Sequence, residues 1–136
     1  ESLRPRVALL RGLTLEQMCH ARERMELTPG ARTFVRTLHR LGFKVAIVSG
    51  GFTFFTDHLL TELGLDYAYA NELELVDGVA TGNLLGTIVD RVRKAEILTE
   101  LAGLEHLPVE QVIAVGDGAN DLDMLQRAGL GVAFNA

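Results

Sequence analysis

The chain has 136 residues, of which 48% are hydrophobic, and its formal net charge at pH 7 is −5. This length and apolar content allow one buried core and exclude a disordered chain. An acidic surface attracts neither nucleic acid nor an anionic membrane, so both are excluded as partners. Cys19 is the only cysteine, which excludes an intrachain disulfide and a cysteine-based zinc site and favours a reducing compartment. No apolar run has the length of a membrane span and the N-terminus lacks the form of a signal peptide, so we expect a cytoplasmic protein.

The first 27 residues predict two helices. Residues 2–12 have one apolar and one basic face, and the basic face carries Arg4, Arg6 and Arg11. Taken one at a time, these arginines are most simply an exposed, solvated helix face. Thr14 and Gln17 then form a capping-box pattern, which predicts a helix that starts at Thr14.

A helix, a strand and a glycine-rich turn are predicted next. Thr28 and Pro29 indicate the start of the helix, with Thr28 as its N-cap, and Gly42 indicates its end. The apolar run 43–48 predicts a buried strand that ends at Ser49-Gly50-Gly51. A hydroxyl and free backbone amides at such a turn suit a phosphate, but many turns use serine and glycine only for geometry. The pattern alone therefore leaves both interpretations open.

The middle of the chain predicts a helix followed by a small antiparallel flap. The helix after Gly51 ends at Gly64, and residues 66–71 have the composition of a short strand. Residues 72–76 alternate polar and apolar, and the dipeptide Asp77-Gly78 is a hairpin signal before the return strand 79–85. We therefore predict a β flap attached to the main sheet.

The helix predicted over residues 90–102 begins with an unusual charge pattern. Arg91, Arg93 and Lys94 lie in its first turn, where cations oppose the helix dipole. At least one of them therefore needs another source of stabilisation. We interpret Arg91 and Arg93 as solvated.

The run Val112 to Gly116 predicts a buried parallel strand, and the Asp-Gly-Ala-Asn-Asp sequence that follows carries acidic side chains to its carboxyl end. Ligands of open α/β sheets bind at that end of the strands. Gly116 and Gly118 allow a tight turn and a close approach, and Asp117 and Asp121 lie four residues apart. Carboxylate oxygens in this arrangement suit Mg²⁺ better than Zn²⁺.

The stretch Gly116-Asp117-Gly118-Ala119-Asn120-Asp121 resembles the fourth motif of the haloacid dehalogenase (HAD) superfamily of phosphoryl-transfer enzymes. The segments around Arg6, Ser49 and Lys94 agree with this resemblance in the expected order, and within the superfamily the chain is most similar to the phosphoserine phosphatases. The resemblance implies an α/β fold: a three-layer Rossmann-like HAD core with a parallel sheet, part of a helical cap and a small β flap. It also implies that residues 1–27 are the C-terminal part of the cap and residues 28–136 the core without its first strand.

The same resemblance assigns a role to each candidate site residue. It implies that Arg6 holds the substrate carboxylate, and that Ser49 and the amide of Gly50 bind the phosphoryl group together with Lys94. It implies that Asp117 ligates Mg²⁺, that Asp121 orders a metal-bound water or Lys94, and that Asn120 holds the loop near the phosphate. The implied catalytic residues are Lys94 and Asp121, the substrate-binding residues Arg6, Ser49, Gly50, Lys94 and Asn120, and the metal ligand Asp117.

The activity implied by the resemblance is Mg²⁺-dependent hydrolysis of phosphoserine to serine and phosphate, through an aspartyl-phosphate, in L-serine biosynthesis. The chain departs from the family in one respect, because no Asp-x-Asp nucleophile motif follows a first strand ahead of the cap segment. It also does not begin with methionine, so we expect it to be part of a longer polypeptide; a true fragment would be inactive. A phosphatase for another small phosphomonoester and a non-catalytic HAD-fold binding protein stay open as alternatives, as does a homodimer.

Overall fold

The computed structural model describes residues 3–134. The chain divides into two compact units, Glu1–Thr87 and Ile88–Ala136. The cap boundary predicted after residue 27 lies inside the first unit and stays a prediction. Ser2, where the first predicted helix begins, lies outside the described residues. No helix within residues 3–134 is both long enough and apolar enough to cross a membrane.

The first unit contains four helices: α1 (Leu3–Ala8), α2 (Leu15–Glu23), α3 (Ala31–Arg40) and α4 (Thr53–Leu63). The predicted capping box is confirmed at the start of α2. The backbone N–H of Gln17 donates to the Thr14 hydroxyl at 3.1 Å, and the backbone N–H of Thr14 donates to the Gln17 side chain at 3.0 Å. These two bonds satisfy backbone donors that the first helical turn leaves without partners.

The predicted start of α3 at Thr28 is wrong. Gly30 is the N-cap and adopts a left-handed conformation with φ 89°, so the helix begins at Ala31. A right-handed helix does not continue through a left-handed residue. The carbonyl of Thr28 instead accepts the backbone N–H of Ala31 at 3.0 Å and closes a turn.

One three-stranded sheet runs through the first unit, in the order β1 (Ala46–Phe52), β2 (Tyr67–Val76), β3 (Val79–Leu85). β1 and β2 are parallel, and β2 and β3 are antiparallel. The predicted hairpin is confirmed, with positive φ at both Asp77 and Gly78. The flap is thus a continuation of β2 rather than a separate element.

The core of the first unit is formed by Val7 from α1, Met18 from α2 and Leu73 from β2. Val7 and Met18 are only 2% and 1% exposed. Among the partly buried side chains that pack against this cluster are Phe52 and Phe54, from the junction between β1 and α4. The helix that carries Arg6 therefore shares its core with the segment that follows Ser49.

The second unit contains α5 (Arg91–Leu104), β4 (Ile113–Gly116), α6 (Leu122–Arg127) and β5 (Leu130–Ala133), with short 3-10 helices at Val109–Gln111 and Ala119–Asp121. β4 and β5 pair in parallel. Leu98, Ala114 and Met124 form the buried core, which packs the two helices against β4. The predicted helix, strand, helix and strand are confirmed, within a few residues at each end. The prediction that the first of these strands is buried is wrong, because Ile113 and Val115 are 49% and 51% exposed and only Ala114 is buried. This core holds the start of α5 beside the loop that follows β4.

Candidate functional site

The Ser49-Gly50-Gly51 segment lies within β1 and not beyond its end. The strand continues to Phe52, and the pairing register of β1 with β2 shifts between Val48 and Phe52. The Ser49 hydroxyl oxygen accepts the backbone N–H of Gly51 at 2.9 Å. A side-chain acceptor thus replaces the sheet partner that Gly51 lacks at the irregularity. The hydroxyl proton of Ser49 stays available to donate to an anion.

Asn71, on β2, contacts this segment, and the sequence analysis did not identify it as a site residue. Its side chain is buried, with 1% exposure, and its amide nitrogen donates to the carbonyl of Gly50 at 2.9 Å. The bond joins β2 to the irregular part of β1, so Asn71 fixes the orientation of the Gly50 peptide. Its only signal in the sequence is a polar residue in a strand otherwise rich in apolar side chains, which does not by itself indicate a function.

Arg6 lies in the last turn of α1 and is exposed. Its guanidinium makes no ion pair with any residue in the range 3–134. The next residue, Val7, is buried in the core of the unit. The backbone beneath Arg6 is therefore fixed by packing while its five donors are free for a ligand.

Lys94 and Asp121 form a buried ion pair in the second unit. The Lys94 Nζ donates to the Asp121 Oδ1 at 2.6 Å, and the two side chains are 7% and 11% exposed. Lys94 lies in the first turn of α5, and Asp121 ends the 3-10 helix that follows β4. The carboxylate supplies the stabilisation that a cation in this turn needs against the helix dipole.

Gly116 and Gly118 allow side chains of their own loop to approach the backbone. A Cβ at Gly116 would lie 2.6 Å from an Asp121 carboxylate oxygen, and a Cβ at Gly118 would lie 2.7 Å from the Asn120 side-chain oxygen. Neither glycine has a positive φ. The close approach inferred from the sequence is therefore made by the Asp121 and Asn120 side chains, and it permits the Lys94–Asp121 contact.

Asp117 lies directly after β4 and is exposed. Its carboxylate makes no ion pair with a residue in the described part of the chain. Within residues 3–134, no three His, Cys, Asp or Glu side chains are grouped closely enough to hold a metal. Mg²⁺ needs only one or two protein carboxylates when phosphate and water complete its coordination. Asp117 fits one such ligand, and Asp121 is already paired with Lys94.

Arg91 is solvated as predicted, with 53% of its side chain exposed, but the interpretation of Arg93 as solvated is wrong, because its side chain is 25% exposed. Arg91 pairs with Asp123 at 2.9 Å, and Arg93 pairs with Glu100 and with Glu96. The hydrogen bond that Arg93 donates to the Glu100 carboxylate raises the pKa of Arg93 above its ordinary value, against the opposing effect of burial. These partners lie on later turns of α5 and on α6, so the cations compensate the unfavourable dipole by local pairing.

The structure thus divides the predicted site residues between the two units. The first unit holds Arg6, Ser49 and Gly50. The second brings Lys94 and Asp121 into contact and places Asp117 and Asn120 on the same loop as Asp121. Hydroxyl and amide donors, a cation and a free carboxylate are the groups that binding of a metal-bound phosphoryl group requires.

Three comparisons identify relatives of this chain. A phosphoserine phosphatase of Streptomyces coelicolor is 57% identical over 136 residues, which are 100% of this chain and 33% of that protein. The solved structure of a probable phosphoserine phosphatase from Vibrio cholerae, in unliganded form, matches with a TM-score of 0.94 and 48% identity over 99% of this chain and 42% of that one. A structure of a phospho-aspartyl intermediate analogue of phosphoserine phosphatase matches with a TM-score of 0.94 and 44% identity, over 99% of this chain and 65% of that one.

The chain therefore spans between a third and two thirds of the length of these relatives. Their structures confirm the predicted fold class, an α/β Rossmann-like HAD core, and the resemblance to phosphoserine phosphatases. Residues 4–126 match the family model of the haloacid dehalogenase-like hydrolases. This match covers most of the chain, which consequently belongs to the haloacid dehalogenase-like hydrolase family.

Proposed function

We propose that the gene product containing this chain is a Mg²⁺-dependent phosphomonoester hydrolase that converts O-phosphoserine and water to serine and phosphate. The observation that carries the proposal is the buried ion pair between Lys94 on α5 and Asp121, which shares its loop with Asp117. The phosphoserine phosphatases among the relatives support the substrate. The reaction would belong to L-serine biosynthesis in the cytoplasm, and the single cysteine is compatible with that reducing compartment.

The roles of the residues in this proposal follow from charge. A transferring phosphoryl group spreads negative charge over its oxygens, and catalysis consists mainly of positioning it and neutralising that charge. Lys94 would supply a cation held in place by Asp121. The Ser49 hydroxyl and the Gly50 amide would donate hydrogen bonds to the same group, and Asn120 would hold the loop close to it.

Asp117 would hold the magnesium ion through its free carboxylate. The bound ion would neutralise part of the charge on the phosphoryl oxygens. Asp117 supplies a single carboxylate, so other ligands must complete the coordination.

Arg6 would select phosphoserine among phosphomonoesters by pairing with its carboxylate. Its planar donor fork matches the two carboxylate oxygens in a way that an ammonium group does not. A phosphatase for another small phosphomonoester, the first alternative, would have no use for this arginine. Comparing phosphoserine with phosphoethanolamine, which lacks the carboxylate, distinguishes the two activities.

The chain offers no residue for the nucleophile of the proposed reaction. An aspartyl-phosphate would form on an aspartate of an Asp-x-Asp motif. The only such spacing in the sequence is Asp121-Leu122-Asp123, whose carboxylates pair with Lys94 and Arg91, so it does not serve as the nucleophile motif. The second alternative is a HAD-fold protein that binds a phosphorylated ligand through Ser49, Lys94 and Asp117 without cleaving it, and the presence or absence of the nucleophile motif in the complete gene product decides between the two.

The test is phosphate release from O-phosphoserine by the purified complete gene product, with and without Mg²⁺. An intact mass above 14.8 kDa would show residues beyond this chain, which are then searched for Asp-x-Asp. Lys94→Ala should reduce turnover by about a hundredfold or more, whereas Lys44→Ala, on an exposed residue before β1, should not change it. Near-normal turnover of Lys94→Ala would remove Lys94 from the site. Binding of phosphoserine without phosphate release would support the non-catalytic alternative, and sedimentation of the same sample tests for a homodimer.

A further inference from the structure

We infer that Phe54 is a positioning residue that fixes Arg6 relative to the Ser49-Gly50-Gly51 segment, and thereby sets the preference for phosphomonoesters that carry a carboxylate. The inference rests on the proposed function, because it assumes that Arg6 binds the carboxylate and that Ser49 binds the phosphate. It adds a residue that touches neither group of the substrate and acts through the core between them.

The packing of α1 determines the position of Arg6. Arg6 is exposed, but Val7, the next residue of α1, is 2% exposed and packs with Met18 and Leu73. Leu3, on the same helix, and Leu10, in the turn that follows it, also pack against this cluster. α1 has six residues and too few internal hydrogen bonds to be stable alone. The packing of its apolar face therefore determines where Arg6 lies.

The segment that follows Ser49 packs against the same cluster. Phe52, the last residue of β1, and Phe54, in the first turn of α4, both pack against the Val7, Met18 and Leu73 cluster. Only Gly50 and Gly51 lie between Ser49 and Phe52 in the chain. One small core therefore contacts both the helix that carries Arg6 and the segment that directly follows Ser49.

Two neighbouring side chains hold the ring of Phe54. The guanidinium of Arg22, on α2, lies 4.6 Å from the centroid of the Phe54 ring. The Phe55 ring meets it edge-on, with centroids 5.3 Å apart and planes at 84°. A cation over one face and an edge-to-face neighbour are both favourable contacts of an aromatic ring. The ring is therefore held by contacts from two helices and cannot be replaced by an aliphatic side chain without a change in packing.

The consequence for selectivity follows from geometry. A substrate that binds through two charged ends is sensitive to the distance between its two binding groups, and a misplacement of about 1 Å can cost a hundredfold. A substrate that binds only through its phosphate does not sense that distance. Loosening the Phe54 contacts should therefore weaken phosphoserine and spare phosphoethanolamine.

The experiment measures dissociation constants for both compounds by calorimetry on the complete gene product without Mg²⁺, so that no turnover is needed. The selectivity is the dissociation constant of phosphoethanolamine divided by that of phosphoserine. In the wild type it should exceed about ten, since one charge-assisted bidentate contact distinguishes the two. Arg6→Gln should bring it near one. Phe54→Leu should lower it by about three- to tenfold without changing the dissociation constant of phosphoethanolamine, and the Arg6→Gln/Phe54→Leu double variant should lose no more selectivity than Arg6→Gln.

Two further variants separate positioning from a general loss of structure. Arg22→Met removes the cation over the ring and should lower the selectivity in the same direction by a smaller factor. Phe34→Leu changes an aromatic residue of α3 that is 59% exposed, and it should leave both dissociation constants unchanged. Far-UV circular dichroism of each variant confirms that it is folded.

The outcomes distinguish the inference from the proposed function. If Arg6→Gln lowers selectivity and Phe54→Leu does not, the positioning role is refuted and the role of Arg6 stands. Equal weakening of both compounds by Phe54→Leu, or additive losses in the double variant, would also refute it. A wild type without selectivity, or one that binds neither compound, would overturn the proposed substrate and the inference together.

Discussion

Replacing Lys94 by methionine should lower the free energy of unfolding by about 3 kcal/mol, because it leaves the carboxylate of Asp121 buried without its cation. The two charges are 2.6 Å apart and their side chains are 7% and 11% exposed. With an effective dielectric constant of about 20, their attraction is about 6 kcal/mol. Desolvation of both ions offsets a large part of this attraction, so the net loss is smaller. Methionine keeps the unbranched apolar stem, and the change therefore reports the loss of the charge.

The assay is a double-mutant cycle followed by urea unfolding and far-UV circular dichroism. Asp121→Asn removes the unpaired charge, so the double variant Lys94→Met/Asp121→Asn should be more stable than the sum of the two single losses predicts. The expected coupling is about 2 kcal/mol, within the range for residues in direct contact. Lys44→Met is the matched control, since Lys44 is exposed, and it should change stability by less than about 0.5 kcal/mol.

Two results would refute this reasoning. A loss below about 1 kcal/mol for Lys94→Met would mean that the Asp121 carboxylate is well solvated or paired elsewhere without the lysine. Additive losses would mean that the two residues stabilise the unit independently despite their contact.

Three further changes test the local chemistry of the first unit. Thr14→Ala should lower the free energy of unfolding by about 1 kcal/mol through loss of the α2 cap, and Thr14→Ser should retain the cap and this stability in thermal unfolding. Equal losses of stability in the two variants would contradict the capping role. Thr56→Val should raise the free energy of urea unfolding by up to about 1 kcal/mol, because the buried Thr56 hydroxyl has no hydrogen-bond partner within residues 3–134, and a loss would show that it has one. Burial acts to raise the pKa of Asp66, but hydrogen bonds from the Val45 N–H and from His39 outweigh it and hold that pKa below its ordinary value of 3.8. A lowered pKa stabilises the fold above the ordinary value and loses this effect as the pH falls through the folded value, so the stability difference between wild type and Asp66→Asn should shrink below about pH 4; a difference constant from pH 6 to pH 3 would contradict it.

Elements defined by local chemistry were predictable from the sequence. The capping box of Thr14 and Gln17 involves residues three apart, and the Asp77-Gly78 turn needs only two residues that tolerate a positive φ. In both cases the hydrogen bonds or dihedral angles are set within one turn of chain. Neither prediction required knowledge of the tertiary fold.

The wrong predictions concern choices made by more distant or competing contacts. Thr28 and Pro29 have the composition of a helix start, yet Gly30 is left-handed and α3 therefore begins at Ala31. Arg93 pairs with Glu96 and Glu100, which lie on the following turns of α5. The sequence allowed Arg93 to be either paired or solvated. Side-chain pairing of this kind depends on rotamers and neighbours that a charge pattern does not specify.

The candidate site shows the same division between local and distant information. The sequence placed Ser49, Lys94 and Asp117 near the ends of elements, and the resemblance gave Asp121 two possible contacts, a metal-bound water or Lys94. The structure shows the contact to Lys94, across 27 positions of sequence. It also adds Asn71, whose bond to the Gly50 carbonyl joins two strands across 21 positions. No periodicity or spacing in one sequence indicates such pairs.

The energetics of the Lys94–Asp121 pair bear on its purpose. A buried ion pair is often no more stabilising than two apolar side chains of similar volume, because both ions lose their hydration. A structural role alone would therefore be served equally well by a packed apolar pair at the start of α5. Asp121, the acidic member of the pair, lies on the loop that carries the free carboxylate of Asp117, four residues earlier in the chain. In the proposed function, a cation oriented by Asp121 would neutralise charge on the phosphoryl group, and this requirement would account for the two charges where packing alone does not favour them.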